Sequence, residues 1–117
     1  MNNMDIIHFV LQNILHINYG LRPGLHGIEI TLDNNKWVSY EQAFGETVEE
    51  TAAKYEEQYK WHLIREKRNT LLAETDWTQI NPNFSGKKQY AEYRKQLRQI
   101  PQKHSHPDTV NWPVPPA

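Results

Sequence analysis

The side chains with the plainest chemical potential stand near the end of the chain. His104, His106 and Asp108 alternate with Ser105 and Pro107. Two imidazoles and a carboxylate are a donor set that a divalent metal accepts. Zinc sites draw on further ligands at helix or turn spacing, and none is in register here. The simpler reading is three polar residues in a loop. His8 and His16 fall on different flanks of one proposed helix and do not converge. Cysteine is absent, so no thiolate nucleophile, disulfide or zinc–thiolate site can form. The chain has no G-x-S-x-G elbow, no glycine-rich phosphate loop and no H-E-x-x-H helix. No catalytic residue, metal site or cofactor is assigned, and the expected chemistry is binding.

Three features bear on binding. The Asp76 carboxylate can accept a hydrogen bond from Arg94 or Arg98, which would pin two helices together; alternatively, Asp76 and Trp77 form a surface turn. The run Tyr93–Arg98, "YRKQLR", resembles a phosphate-binding strip, but carboxylates lie close by and the formal net charge is −1. A nucleic-acid binder shows a clear basic excess, so no nucleic-acid partner is expected. The third feature is aromatic content, four tryptophans and six tyrosines in a chain of mean hydropathy −0.84. Such side chains dominate interface hot spots, and they also build small cores. Trp37 and Tyr90 are assigned to the core.

With 117 residues, 38% of them hydrophobic and 23% charged, a single polar domain is the default. The opening "MNNMDIIHFVLQNILHI" has an apolar run without a basic leader, and it is too short to span a bilayer. A non-secreted chain with no membrane partner is expected.

The elements that must position these residues follow from periodicity. Ile6, Ile7, Val10, Leu11, Ile14 and Ile17 mark an amphipathic helix over residues 4–17, though their β-branching leaves a strand open. "YGLRPGLHG" reads as punctuation where regular structure stops. Ile28, Ile30 and Leu32 alternate with polar residues as a half-buried strand, Asp33, Asn34 and Asn35 supply a turn, and "KWVSY" returns, making a β-hairpin with a four-residue loop. Thr47 and Glu50 form a capping-box signature opening a helix over about residues 48–73. Its apolar positions change face: Val48, Ala52, Tyr55, Tyr59 and Leu63 first, then Trp61, Ile64, Leu71 and Leu72 about half a turn away. Either that helix bends or its halves meet different partners. "ETDWTQINPNF" breaks it. A second helix starts with Ser85 as N-cap, carries Tyr90, Tyr93, Leu97 and Ile100 as its stripe, and ends at Pro101. The rest is extended and proline-rich.

The ordered blocks "REKRNTLLAETDWTQ", "YAEYRKQLRQIP" and "PDTVNWPVPP" resemble the tail-assembly chaperone domain of tailed bacteriophages, a family similar to the C-terminal part of tail fibre assembly proteins. The positions that carry the resemblance are Arg68, Leu71, Leu72, Thr75, Asp76, Trp77, Tyr90, Tyr93, Arg94, Leu97, Arg98, Trp112, Pro113 and Pro116. The sequence departs from the family pattern at Tyr90, commonly Trp, and at Asn81–Asn83, where an acidic residue is often found. The resemblance implies a non-enzymatic factor that binds a phage tail or tail-fibre protein in the host cell cytoplasm during assembly. A tail or fibre adaptor retained in the virion is the alternative.

The expected fold is α+β: an N-terminal helix and β-hairpin, a long central helix, a second C-terminal helix closing a helical hairpin, and an extended proline-rich tail. Residues 1–67 would form a specificity or attachment region and residues 68–117 the chaperone-like part. Trp112, stiffened by its neighbouring prolines, is expected to pack on its own chain's Tyr90–Leu97 helix and not on a partner.

Overall fold

A computed structural model describes residues 2–32 and 36–117, and the fold is α+β. The chain divides into two compact units, residues 1–59 and 60–117.

In the first unit, α1 (Asn3–Phe9) opens on Asn2, whose side chain accepts the Asp5 N–H at 2.9 Å. The helix widens into a π-helical turn, Val10–Ile14. It stops where His16 takes a left-handed φ of 52° and the Ile17 N–H reaches back to Leu11 O at 3.1 Å. This is a Schellman-type ending with histidine in the place glycine usually holds.

A three-stranded antiparallel sheet follows, in the order β1 (Gly20–Gly24), β2 (Gly27–Thr31), β3 (Trp37–Ser39). β2 and β3 are the expected hairpin, paired from Glu29↔Ser39 to Thr31↔Trp37. The turn expected at Asp33–Asn35 lies outside the described residues. β1 corrects the reading of "YGLRPGLHG" as punctuation. Its register with β2, Leu21↔Ile30 and Arg22↔Glu29, closes on Gly24↔Gly27 across the turn Leu25–His26. Proline is tolerated in an edge strand when its missing N–H faces away from the ladder, and Pro23 occupies such a position. On the outer face, the Trp37 ring lies over Gly20, where a Cβ would stand 3.4 Å from it. The same ring takes the Arg22 guanidinium at 4.1 Å.

Ser39 and Tyr40 leave the strand to begin α2 (Tyr40–Phe44), an element absent from the sequence reading. The Ser39 hydroxyl accepts the Gln42 N–H at 3.0 Å, and Gly45 at φ 74° ends the helix. The pattern Ser-x-x-Gln followed by glycine was the available signal. The capping box at the start of α3 (Val48–Thr75) is formed as expected: Glu50 N–H reaches Thr47 Oγ1 at 3.1 Å and Thr47 N–H reaches Glu50 Oε1 at 3.2 Å. Ile7, Leu11, Ile30, Tyr40 and Val48 form the main core, while Ile6, Val10 and Ala52 form a second cluster joined by Phe9, Tyr55 and Tyr59. The buried Tyr40 hydroxyl donates to Thr51 Oγ1 at 3.0 Å.

The second unit contains the end of α3, a single turn α4 (Trp77–Ile80), α5 (Lys87–Lys103) and a 3-10 turn at Pro107–Thr109. The face change along α3 is met mostly by packing within each unit. Ala52, Tyr55 and Tyr59 belong to the second cluster of the first unit, and Ile64, Leu71 and Leu72 pack on α5 residues Tyr93, Leu97 and Ile100. Leu63 departs from this pattern and is exposed.

The limits of α5 differ from expectation at both ends. Gly86, not Ser85, is the N-cap, and no side chain caps it. The Phe84 ring folds against Gly86 so closely that a Cβ there would sit 2.6 Å from the ring. Pro101 lies inside the helix, which runs on to Lys103. Proline deletes a single backbone donor, and Ile100 directly before it is anchored in the cluster, so packing outweighs the loss.

Candidate functional site

The site is built where α3 ends. A helix C-terminus leaves carbonyls without intrahelical donors, and its dipole favours a cation there. Arg94 on α5 supplies both needs. Its Nη1 donates to Leu72 O at 2.5 Å and to Thr75 Oγ1 at 2.7 Å, and its Nη2 donates to Asp76 Oδ1 at 2.6 Å. Of the two arginines offered for Asp76 by the sequence, Arg94 makes the bond, and Arg98 is exposed. Arg94 is only 8% exposed. Its Nε is the one buried side-chain polar atom without a hydrogen-bond partner among the described residues. Such an orphan costs about 1–3 kcal/mol, which the three charge-assisted bonds on the same guanidinium offset.

Two threonines extend the clamp. The Thr75 hydroxyl donates back to Leu71 O at 2.8 Å, and the buried Thr78 donates to Thr75 O at 2.6 Å. Gln79 Nε2 then reaches Lys87 O at 3.1 Å, tying α4 to the start of α5. Thr78 and Gln79 were missed in the sequence because a hydroxyl or amide on a one-turn helix has no periodic signature.

Below the clamp lies the apolar seam. Tyr93, Leu97 and Ile100 are buried, and Ile64, Leu71, Leu72, Tyr90, Val110 and Trp112 pack around them. Burial pushes the Tyr93 hydroxyl pKa above its ordinary value, with Tyr90 and Glu74 adding to the rise. The Trp112 question is answered by this cluster: the ring packs on its own chain's α5, with Lys67 Nζ at 4.3 Å from its centroid. Pro113 and Pro116 are half-buried behind it, and Arg68 is half-buried on α3, bonded to the adjacent Asn69.

Above the clamp the surface turns apolar. Trp77 meets Phe84 at a tilt, ring centroids 4.7 Å apart, Phe84 meets Tyr90 likewise at 5.7 Å, and Tyr90 meets Tyr93 edge-on at 6.1 Å. The ladder climbs from buried Tyr93 to Trp77, which is 52% exposed. Ile80, one turn further along α4, is 78% exposed. Neither Ile80 nor Phe84 was singled out in the sequence, although Phe84 follows Trp77 by seven residues.

The terminal His104, His106 and Asp108 do not form a joint site. Asp108 pairs with Lys60 Nζ at 3.2 Å, and His104 faces the Thr109 hydroxyl. Among the described residues, no three His, Asp or Glu side chains come together as a metal would need. No described helix is long and apolar enough to cross a membrane.

The geometry is that of a helical hairpin with a buried clamp beneath an exposed aromatic ledge. Residues 61–117 match the family model described as phage tail assembly chaperone protein, which supports a phage tail assembly chaperone-like domain there. No curated protein and no solved structure matches the chain.

Proposed function

We propose that the protein is a non-enzymatic assembly factor that binds a tail or tail-fibre structural protein and aids its folding or attachment, acting in the host cytoplasm. The family match over residues 61–117 carries this reading. The site refines it by dividing the motif residues into two sets. Leu71, Leu72, Tyr93, Arg94, Leu97 and Trp112 are spent inside the domain. Trp77 and Arg98, together with Ile80, stand outside and are the candidate partner contacts. Residues 1–67 then supply the specificity or attachment region.

Retention in the virion drew its support from a two-faced helix and a hairpin awaiting partners. Much of both apolar faces of α3 and one face of the hairpin pack within the chain, so these features favour the second reading less. Co-expression with the phage's own tail and fibre proteins tests the role. The expected result is co-purification and a larger soluble yield of one of them. Fibres that fold and attach equally well without this protein contradict it. Mass spectrometry of purified particles is expected to show it absent or far below stoichiometric.

A further inference from the structure

The net charge of −1 hides a division. Residues 1–59 hold nine acidic and three basic residues, a formal charge of −6. Residues 60–117 hold five acidic and ten basic residues, a formal charge of +5. Several cations of the second unit are already matched: Lys60 pairs with Asp108, Arg94 with Asp76, and Lys67 lies over Trp112. The surplus sits on α5, which carries six basic residues and one acidic residue, Glu92. Of these, Lys87 and Arg98 are exposed, and their side chains pair with no carboxylate among the described residues.

The clamp fixes where this charge stands. Lys87, Ala91, Arg94 and Arg98 recur at i, i+4, i+7 and i+11, so they form one row along α5. Arg94 in that row holds Asp76, the residue before Trp77, and Gln79 on α4 holds Lys87 O. The row therefore runs beside the ledge of Trp77 and Ile80. Its ends are Lys87 and Arg98, about 16 Å apart at about 1.5 Å per residue. Glu92, two positions before Arg94, falls on another face of α5 at about 100° per residue.

An exposed apolar patch rimmed by unmatched charge of one sign selects an occupant of the opposite sign. Nucleic acid fits less well than an acidic protein. The chain as a whole has no basic excess, and the aliphatic Ile80 offers nothing that a base or phosphate recognises. The form of the occupant follows from what the second unit lacks. Its described residues contain no strand, so an extended peptide would find no edge for its N–H and C=O groups. A helix satisfies its own backbone and presents one apolar stripe.

We propose that the ledge takes an acidic amphipathic helix of the tail or tail-fibre protein, its apolar stripe on Trp77 and Ile80 and its carboxylates on Lys87 and Arg98. The assembly reading supplies the identity of that protein, while the chemistry of the contact rests on the ledge and the row. The test is an NMR titration of the full chain with an Ala-based helical peptide whose Leu stripe is flanked by Glu, beside the same peptide with Lys for Glu. The acidic peptide is expected to shift the Trp77 indole N–H and the amides from Trp77 to Arg98, and the basic peptide is expected to shift neither. Lys87→Glu/Arg98→Glu should weaken the acidic peptide by about tenfold or more through like-charge repulsion. Lys103→Glu, the same change on another face of α5, should alter it less than about twofold. If the double variant fails to fold, Arg98→Glu alone decides. Equal binding of both peptides, or full binding by the charge-reversed variant, overturns the proposal. So does a tighter complex with a single-stranded oligonucleotide. A salt-sensitive oligomer of the free chain that shields Trp77 also overturns it, since the acidic unit of a second copy would then be the occupant. Co-expression with the phage's own tail and fibre proteins separates this contact from the assembly role. A protein that co-purifies equally with the charge-reversed variant contradicts the acidic helix and leaves the role standing. A wild-type chain that captures none contradicts the role, and the peptide titration still decides the contact.

Discussion

The two units solve one problem, holding a stretch of α3, by different means. Residues 1–59 use apolar packing: Val48 and Ala52 are buried against α1, the π-helical turn and the sheet. Their buried polar pair, Tyr40 and Thr51, is neutral. Residues 60–117 add a charge, because the end of α3 is held by a buried arginine on its last carbonyls. Small helical units have few apolar positions to spend. A guanidinium aimed at a helix end gives orientation as well as attachment, since its planar fork accepts one geometry. That precision fixes the turn from which Trp77 and Ile80 project.

The comparison breaks most visibly in the cores. Leu97→Ala and Leu11→Ala each empty a fully buried site and should cost about 2–5 kcal/mol. Amide exchange should show the Leu97 loss concentrated in residues 60–117 and the Leu11 loss in residues 1–59. Equal loss of protection along the whole chain would mean one cooperative block.

Arg94→Met keeps the stem and removes the donors. Leu72 O and Thr75 lose their partner while Asp76 remains in solvent, so we expect a cost of about 1–3 kcal/mol in denaturant unfolding. The corresponding change in the first unit, Tyr40→Phe, should cost less, about 0.5–1.5 kcal/mol. Thr47→Ala, which deletes the capping box, should cost about 1 kcal/mol. Asp76→Asn should cost under about 1 kcal/mol, because its carboxylate is largely exposed. A large Asp76 effect with a small Arg94 effect would shift the weight from the carbonyl cap to the ion pair.

Alkaline pH sharpens the comparison least, since each unit holds one such tyrosine. Burial is the main cause that raises the pKa of both Tyr40 and Tyr93. The unfolded chain releases these protons near the usual value of about 10, while the folded chain keeps them. Stability is therefore expected to hold below that pH and to fall as pH rises through it. Thermal scans of Tyr40→Phe and Tyr93→Phe should each flatten that fall.

How much was legible in the sequence follows from where the signal lay. The capping box at Thr47 and the face change along α3 are local patterns, and both were readable before any coordinates. The choice of Arg94 over Arg98 depended on which helix face met Leu72, a tertiary fact. β1 was hidden because proline and glycine mark turns more often than edge strands, and only pairing with β2 makes them a strand. α2 was hidden by its length, five residues carrying no period. Ile80 gave no signal, since exposure of one residue on a single turn cannot be read from spacing.

The central claim is that the clamp faces inward and the Trp77–Ile80 ledge faces the partner. Its most direct test is co-purification of the phage's own tail or fibre protein with the Trp77→Ser/Ile80→Ser double variant, alongside a thermal melt of that variant. The account predicts loss of the partner with the α5 amides still protected. Full retention of the partner, or loss of binding only where α5 protection is also lost, would contradict it.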